Sequence, residues 1–306
     1  MNAIVNSPLL PPALKAGDVI GLAPLAGPHQ ADDFHKGAAI LHDFGFQTKT
    51  LCPRQSLPFL AGSDQERVEI FHALWQDPEV KAIMAIRGGY GSLRLLAQLN
   101  YEMLRENPKI LIGFSDISAL LNVITAKTGL ITFHGPNLTT LARSDNHSLT
   151  MLVQSLTQPV PPPIKATNLE VISNGSAQGI LAGGNLATLT HLLATPFHPQ
   201  WQDKILFLEE VGEAPYRLDR LLTQLSMSGS LGDISGLILG SFTNCGDQEA
   251  IWQRIADLTR GQKKVPIWGN FPVGHGRQNL TLPIGSQVLM NSATATLSWL
   301  APCHGS

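Results

Sequence analysis

Short uninterrupted apolar runs alternate with segments of helical period along the first half of the chain. The run over 19–23, closed by Pro24, predicts a buried strand, and 31–44 repeats apolar residues at helical spacing until Gly45 stops it. The same strand-then-helix unit recurs over 47–51 and 64–75, over 81–86 and 92–99, and over 109–114 and 117–126. This alternation predicts an α/β fold with a parallel sheet covered on both faces, where ligands gather at the C-terminal ends of the strands.

The pattern breaks at 158–163, QPVPPP, which can neither continue a helix nor enter a central strand and so predicts an extended linker. The expected organisation is an α/β domain over 1–157, a Pro-rich linker over 158–168 and a smaller α+β domain over 169–306. In that second part, apolar segments over 169–172 and 178–181 on either side of Asn174-Gly175 predict a hairpin. A Gly183-Gly184-Asn185 loop and a helix over 186–193 follow. Short strands over 204–208 and 236–239 flank a helix over 217–225, and 287–290 and 296–300 alternate partially.

Composition narrows the function classes. With 306 residues, 43% apolar and 14% charged, the chain can bury real cores, which excludes a disordered tail or a small stapled scaffold. Lys plus Arg (21) nearly balances Asp plus Glu (23), so no strong field draws it to nucleic acid or anionic lipid, and a small-molecule ligand is expected. Cys52, Cys245 and Cys303 form no CxxC pair and no even framework, which fits free thiols in a reducing compartment. The first cation is Lys15, and Pro8, Pro11 and Pro12 interrupt the early apolar residues, unlike a signal peptide. No apolar run approaches the roughly 20 residues of a spanning helix. A soluble cytoplasmic protein is the expectation, with neither nucleic acid nor membrane as partner.

Four loops could carry chemistry. In 110–117, ILIGFSDI, a buried strand runs into Ser115 and a helix begins at once, which would expose the hydroxyl beside helix N-terminal N–H groups. GxSxG would need glycine where Ile117 stands, and Ser115 or Asp116 could simply cap the helix. In Arg87-Gly88-Gly89-Tyr90-Gly91, three glycines let backbone N–H groups approach an anion or a developing oxyanion, although a plain tight turn also fits. The spacing matches neither phosphate-binding glycine fingerprint. In 207–220, FLEEVGEAPYRLDR, Glu209 stands at a strand end where it could orient a histidine, whereas Glu210 and Glu213 read as solvent-facing or capping. In 270–278, NFPVGHGRQ, His275 lies between two glycines that free the backbone to aim it. No HExxH or Cys/His cluster is present, so no metal is expected. Ser115, Glu209 and His275 stand in the nucleophile, acid, base order of one class of serine hydrolase.

At these residues the chain resembles the LD-carboxypeptidases, a serine peptidase family that also contains a microcin-immunity branch. The likeness runs through GLAPLAGP, RGGYGS, IGFSDISALL, HGPN, LAGGNL, FLEEVGEAPYRLDRLL and FPVGHGRQNLTLPIG, and so covers almost the whole chain. GEAPYRLDR is similar to the murein tetrapeptide branch; the microcin-immunity branch is the alternative. The resemblance implies a flavodoxin-like N-terminal domain carrying Ser115 and a C-terminal domain carrying Glu209 and His275. It also implies cytoplasmic recycling of cell-wall peptides by release of a terminal D-Ala, commonly by a homodimer and without a cofactor. On this reading the Asp116 N–H and an N–H of Gly88-Gly89 form the oxyanion hole. Arg87, Tyr90, Arg217 and Arg220 are candidates for substrate binding, the arginines because a guanidinium fork suits a free carboxylate. Two rivals remain: a non-catalytic two-domain binder of small anions, and a nucleotide-using enzyme built on the glycine loop.

Overall fold

A computed structural model describes residues 8–54, 57–260 and 264–305. The chain divides into two compact units. The first runs to Pro161 and takes back Leu280–Gly285 and the chain's end from Pro302; the second holds Pro162–Asn279 and Ser286–Ala301. These returns have no counterpart in the linear division read from the sequence.

In the first unit, β1 (Val19–Ala23), β2 (Gln47–Thr50), β3 (Val80–Ala85), β4 (Ile110–Gly113) and β5 (Thr132–His134) alternate with α1 (Ala31–Asp43), α2 (Asp64–Gln76), α3 (Tyr101–Glu106) and α4 (Ser118–Thr128), and α5 (Asn146–Thr157) follows. The strands lie in the order β2-β1-β3-β4-β5, all parallel, which is the flavodoxin-like order. Leu282–Ile284 adds a sixth strand, antiparallel to β5. Every residue of β4 is buried, as a strand flanked on both sides and covered on both faces requires. The expected helix over 92–99 is a tighter 3₁₀ segment, Ser92–Gln98. Helix α2 starts at a capping box, in which Ser63 Oγ accepts the Glu66 N–H at 3.2 Å and Glu66 reaches back to the Ser63 N–H. Ile20, Leu22, Met84, Ile112 and Phe133 are among the core residues, with Leu41 and Leu138 packed against them.

The second unit contains β6 (Ile164–Lys165), β7 (Glu170–Ser173), β8 (Ser176–Asn185), α6 (Leu186–Thr190), β9 (Lys204–Val211), α7 (Pro215–Met227), β10 (Gly236–Thr243), α8 (Gln248–Thr259) and β11 (Ile267–Gly269). After β12, the Leu282–Ile284 strand of the first unit, come β13 (Gln287–Asn291) and β14 (Thr296–Trp299). The sheet order is β6-β14-β13-β8-β9-β10-β11-β7. Its middle, β8 to β11, is parallel, and the flanking pairs are antiparallel. The expected hairpin around Asn174-Gly175 does not form. β7 pairs with β11 at one edge, while β8 lies between β13 and β9. The reason is burial: the second half of β8, Leu181–Asn185, is buried and takes a parallel neighbour, whereas the partly exposed β7 suits an edge. Part of the predicted linker, Ile164–Lys165, is itself a short edge strand because Ile164 is buried against this sheet. Among the described residues, no helix is long and apolar enough to cross a membrane.

Gly37 lets α1 pack directly against the backbone at Leu138. A Cβ built there would stand 2.2 Å from the Leu138 carbonyl oxygen. Gly37→Ala gains about 1 kcal/mol of helix propensity, but overpacking against backbone costs about 1–3 kcal/mol. Net destabilisation is expected, measured as a lower urea midpoint with an unchanged slope.

Candidate active site

The Ser115 turn lies in the first unit. Buried β4 delivers the chain to Phe114, and Ser115 then takes φ 65°, a left-handed conformation rare for a residue with a side chain. Ser115–Ile117 form a 3₁₀ turn that leads directly into α4. Such a sharp strand-to-helix turn lifts the side chain away from the sheet.

Gly88 lies against this serine. A Cβ there would be 2.8 Å from the Ser115 Cβ and 3.0 Å from its Oγ, so only glycine fits. The Gly88 carbonyl accepts the Gly27 N–H at 3.0 Å. In a trans peptide the N–H lies opposite the carbonyl, so the Gly89 N–H points away from Gly27. Gly89 itself has φ 104°. Of the two glycines in this loop, Gly89 is therefore the one whose N–H is turned out by its neighbour's pinned carbonyl. Arg87 is exposed and its Nη1 donates to the Pro28 carbonyl. Tyr90, 53% exposed, packs edge-on against Phe59 with ring centroids 5.9 Å apart.

Three residues of this unit that sequence reasoning did not single out hold the turn in place. Asn137 brackets Phe114, accepting its N–H at 3.2 Å and donating to its carbonyl at 3.4 Å. Ser92 donates its N–H to Asp116 Oδ2 at 2.7 Å and its hydroxyl to the Asp116 carbonyl at 2.5 Å. Burial pushes the Asp116 carboxyl above its ordinary pKa, and these hydrogen bonds oppose that shift. Arg67, wholly buried on α2, donates to the Leu25 and Gly91 carbonyls at 2.6 and 3.1 Å and pairs with Asp64 at 2.6 Å. The motifs HGPN and RGGYGS contain two of the three, yet nothing local in them indicates which backbone group each side chain meets.

In the second unit, β9 continues through both adjacent glutamates to Val211, so their side chains leave opposite faces. Glu209, with no solvent exposure, accepts from His275 Nδ1 at 2.6 Å and from the His275 backbone N–H at 3.1 Å, both on Oε2. Glu210 turns the other way and accepts from Asn185 Nδ2, the Ala187 N–H and the Val211 N–H, each at 2.8 Å. A carboxylate only accepts, so Nδ1 carries the hydrogen and the neutral ring presents a basic Nε2. Burial drives the His275 pKa down, but the hydrogen bond and charge of Glu209, with the charge of Glu210, raise it overall above its ordinary value.

The glycines beside His275 are sterically required. A Cβ on Gly274, at φ 106°, would stand 2.5 Å from Glu209 Oε2, and one on Gly276 would stand 2.9 Å from the Ser241 Cβ. Asn279 secures the loop by accepting the Gly274 N–H at 2.9 Å. Glu213 lies beyond Gly212, which has φ 74°. Arg217 and Arg220 stand over the Tyr216 ring, 5.9 and 5.6 Å from its centroid, and neither forms an ion pair among the described residues. With a buried carboxylate locked to one ring nitrogen, the imidazole is chemically a base with a fixed tautomer and a partner for its cation.

Comparison with known proteins agrees across the chain. Residues 20–135 match the family profile described as the LD-carboxypeptidase N-terminal domain, and 178–290 match the LD-carboxypeptidase C-terminal domain. A Bacillus subtilis protein named "Probable murein peptide carboxypeptidase" is 34% identical over 312 residues, covering 97% of this chain and 96% of its own. The murein tetrapeptide carboxypeptidase of Pseudomonas aeruginosa is 34% identical over 246 residues, covering 76% and 79%. A solved structure of the microcin C7 self-immunity protein MccF in its wild-type apo state superposes with a TM-score of 0.89 at 26% identity, covering 97% of this chain and 100% of that one. The chain belongs to the LD-carboxypeptidase family and is, at that level, a carboxypeptidase that hydrolyses peptide bonds.

Proposed function

We propose that the protein is a serine LD-carboxypeptidase that releases the terminal D-Ala from murein tetrapeptides. The observation that carries this reading is the 2.6 Å contact between Glu209 and His275 Nδ1, because it leaves the imidazole as a base of fixed tautomer. The murein tetrapeptide carboxypeptidase of Pseudomonas aeruginosa, 34% identical, supports the substrate. Family likeness supports a cytoplasmic role in recycling cell-wall peptides, and a homodimer.

In the proposed mechanism, His275 Nε2 takes the proton from the Ser115 hydroxyl as the oxygen attacks the scissile carbonyl. Glu209 stabilises the imidazolium. The Asp116 and Gly89 N–H groups receive the oxyanion, each donor being worth roughly 3–4 kcal/mol. His275 then protonates the departing D-Ala amine, and water resolves the acyl-enzyme. Arg87, Arg217 and Arg220 remain the candidates for the free carboxylate, with Tyr90 at the rim of the glycine loop. A second reading, cleavage of an aminoacyl sulfamoyl nucleoside, is favoured by the 0.89 TM-score to MccF, for which a structure in complex with aspartyl sulfamoyl adenosine is known.

The deciding experiment offers purified protein a murein tetrapeptide, the corresponding pentapeptide ending in D-Ala-D-Ala, and aspartyl sulfamoyl adenosine. Free D-Ala from the tetrapeptide alone is expected. Release from the pentapeptide at a comparable rate, or cleavage of the nucleoside alone, overturns the substrate assignment.

Ser115→Ala is expected to lower kcat by about 10⁴-fold or more without shifting thermal unfolding, and adding His275→Ala should cost little further. A serine-directed phosphonate should label Ser115 stoichiometrically; labelling at another serine redirects the nucleophile.

Activity should rise with pH as His275 loses its proton, with the midpoint above the ordinary histidine value because the folded pKa is raised. Glu209→Gln removes the largest raising influences and leaves burial to lower the pKa. The acid limb should therefore move to lower pH while kcat falls on the order of 10³–10⁴-fold. An unmoved limb in the kcat/KM profile would remove His275 as the titrating base.

A further inference from the structure

Among the described residues of the first unit, Ser115 is the non-glycine residue with positive φ, and φ 65° is held by a side-chain-bearing residue only where its surroundings over-determine it. The contacts that do so come in two matched pairs, one on each side of the serine. Before it, the Asn137 amide pairs head to tail with Phe114, with its Oδ1 on the N–H at 3.2 Å and its Nδ2 on the carbonyl at 3.4 Å. After it, Ser92 and Asp116 pair at 2.7 and 2.5 Å through one side-chain and one backbone acceptor. Asn137 is 2% exposed, Ser92 0% and Asp116 7%, so water does not compete for these bonds.

Each pair is anchored in turn. The Asn137 carbonyl accepts from the N–H and hydroxyl of Thr140 at 3.0 and 2.8 Å, and the Gly91 carbonyl that precedes Ser92 accepts from buried Arg67 at 3.1 Å. Gly113 makes room for the first pair, because a Cβ there would stand 2.9 Å from Asn137 Oδ1.

We propose that Asn137 and the Ser92–Asp116 pair are positioning residues, two clamps that hold Ser115 in its strained conformation and so keep its hydroxyl raised for attack. The clamp bonds use the Asp116 carboxylate and carbonyl and the Asn137 amide, none of which touches the reacting atoms; the Asp116 N–H assigned to the oxyanion is a separate group. The inference rests on the reading of Ser115 as nucleophile for its catalytic consequence, and on backbone geometry alone for its mechanical one.

The test measures kcat and KM for tetrapeptide, the rate of phosphonate labelling, and thermal unfolding in the full-length protein. In Asn137→Ala and Ser92→Ala, kcat and the labelling rate should fall by about 10–100-fold, as a small misplacement of a reacting group does, while KM stays within about twofold. Asn137→Asp keeps the acceptor for Phe114 N–H and loses the donor. Its activity relative to wild type should recover as pH falls and the protonated acid regains a donor.

A readout independent of activity comes from Ser115→Gly and Ser115→Ala. Glycine enters positive φ without strain, so Ser115→Gly should unfold at a higher temperature than Ser115→Ala. That gap should narrow in the Asn137→Ala background, where the turn can relax. Folded Asn137→Ala and Ser92→Ala with wild-type kcat and labelling, or an equal glycine-over-alanine gap in both backgrounds, overturns the proposal. If Asn137→Ala does not fold, the same comparison in Ser92→Ala decides it. Wild-type protein that neither releases D-Ala nor takes the label sinks the nucleophile reading instead, and the unfolding gap still decides whether the clamps hold strain.

Discussion

An ionised carboxylate is among the costliest groups to place inside a protein, and Glu209 is wholly buried. Stripping an ion of water costs several kcal/mol even after relaxation, so such a group persists only where partners replace its hydration. Here Oε2 takes both the ring Nδ1–H and the backbone N–H of His275. Much of the second unit is arranged to permit that contact. Strand β9 is central in its sheet, Gly274 lies where any side chain would collide with the carboxylate, and Gly240 on neighbouring β10 yields to Val273 of the loop that carries His275. The pairing has an electrostatic return: burial alone would lower the imidazole pKa, and the hydrogen bond and charge of Glu209 reverse the direction of its shift.

The first unit answers a different demand with the same means. A backbone that must pass through φ 65° at Ser115 needs neighbours that leave space and neighbours that hold. Gly88 leaves the space; Asn137 and Ser92 hold. Both units thus set a candidate catalytic side chain on a loop after a buried strand and pin that loop by side-chain bonds to backbone, which is stiffer than pinning by surface ion pairs.

What the sequence discloses and what it conceals divide along contact range. Four of the five parallel strands of the first unit are legible, β4 most plainly because a strand buried on both faces must be a continuous apolar run, whereas the three-residue β5 is not foreseen. The choice between Glu209 and Glu210 is half legible: alternation says that they diverge, but which side faces His275 is decided by a loop that begins sixty-odd residues later. The Asn174-Gly175 turn misleads because local turn chemistry says nothing of which strands compete for β8, and the buried half of β8 pairs with β9. Asn137 and Ser92 carry no local signal at all, since the groups they bond lie 23 and 24 positions away.

The return of Leu282–Ile284 to the first sheet bears on how this architecture can be divided. A fragment ending at Pro161 would leave β5 as a naked edge, its hydrogen-bonding groups open to pairing with other chains. The closing residues matter too, since His304 Nε2 lies 2.7 Å from the Ser155 carbonyl and the Cys303 N–H donates to Pro159. The two halves are therefore interleaved along the polypeptide rather than strung in series, so a single cut at the Pro-rich segment severs the first from part of its own sheet and leaves that part attached to the second.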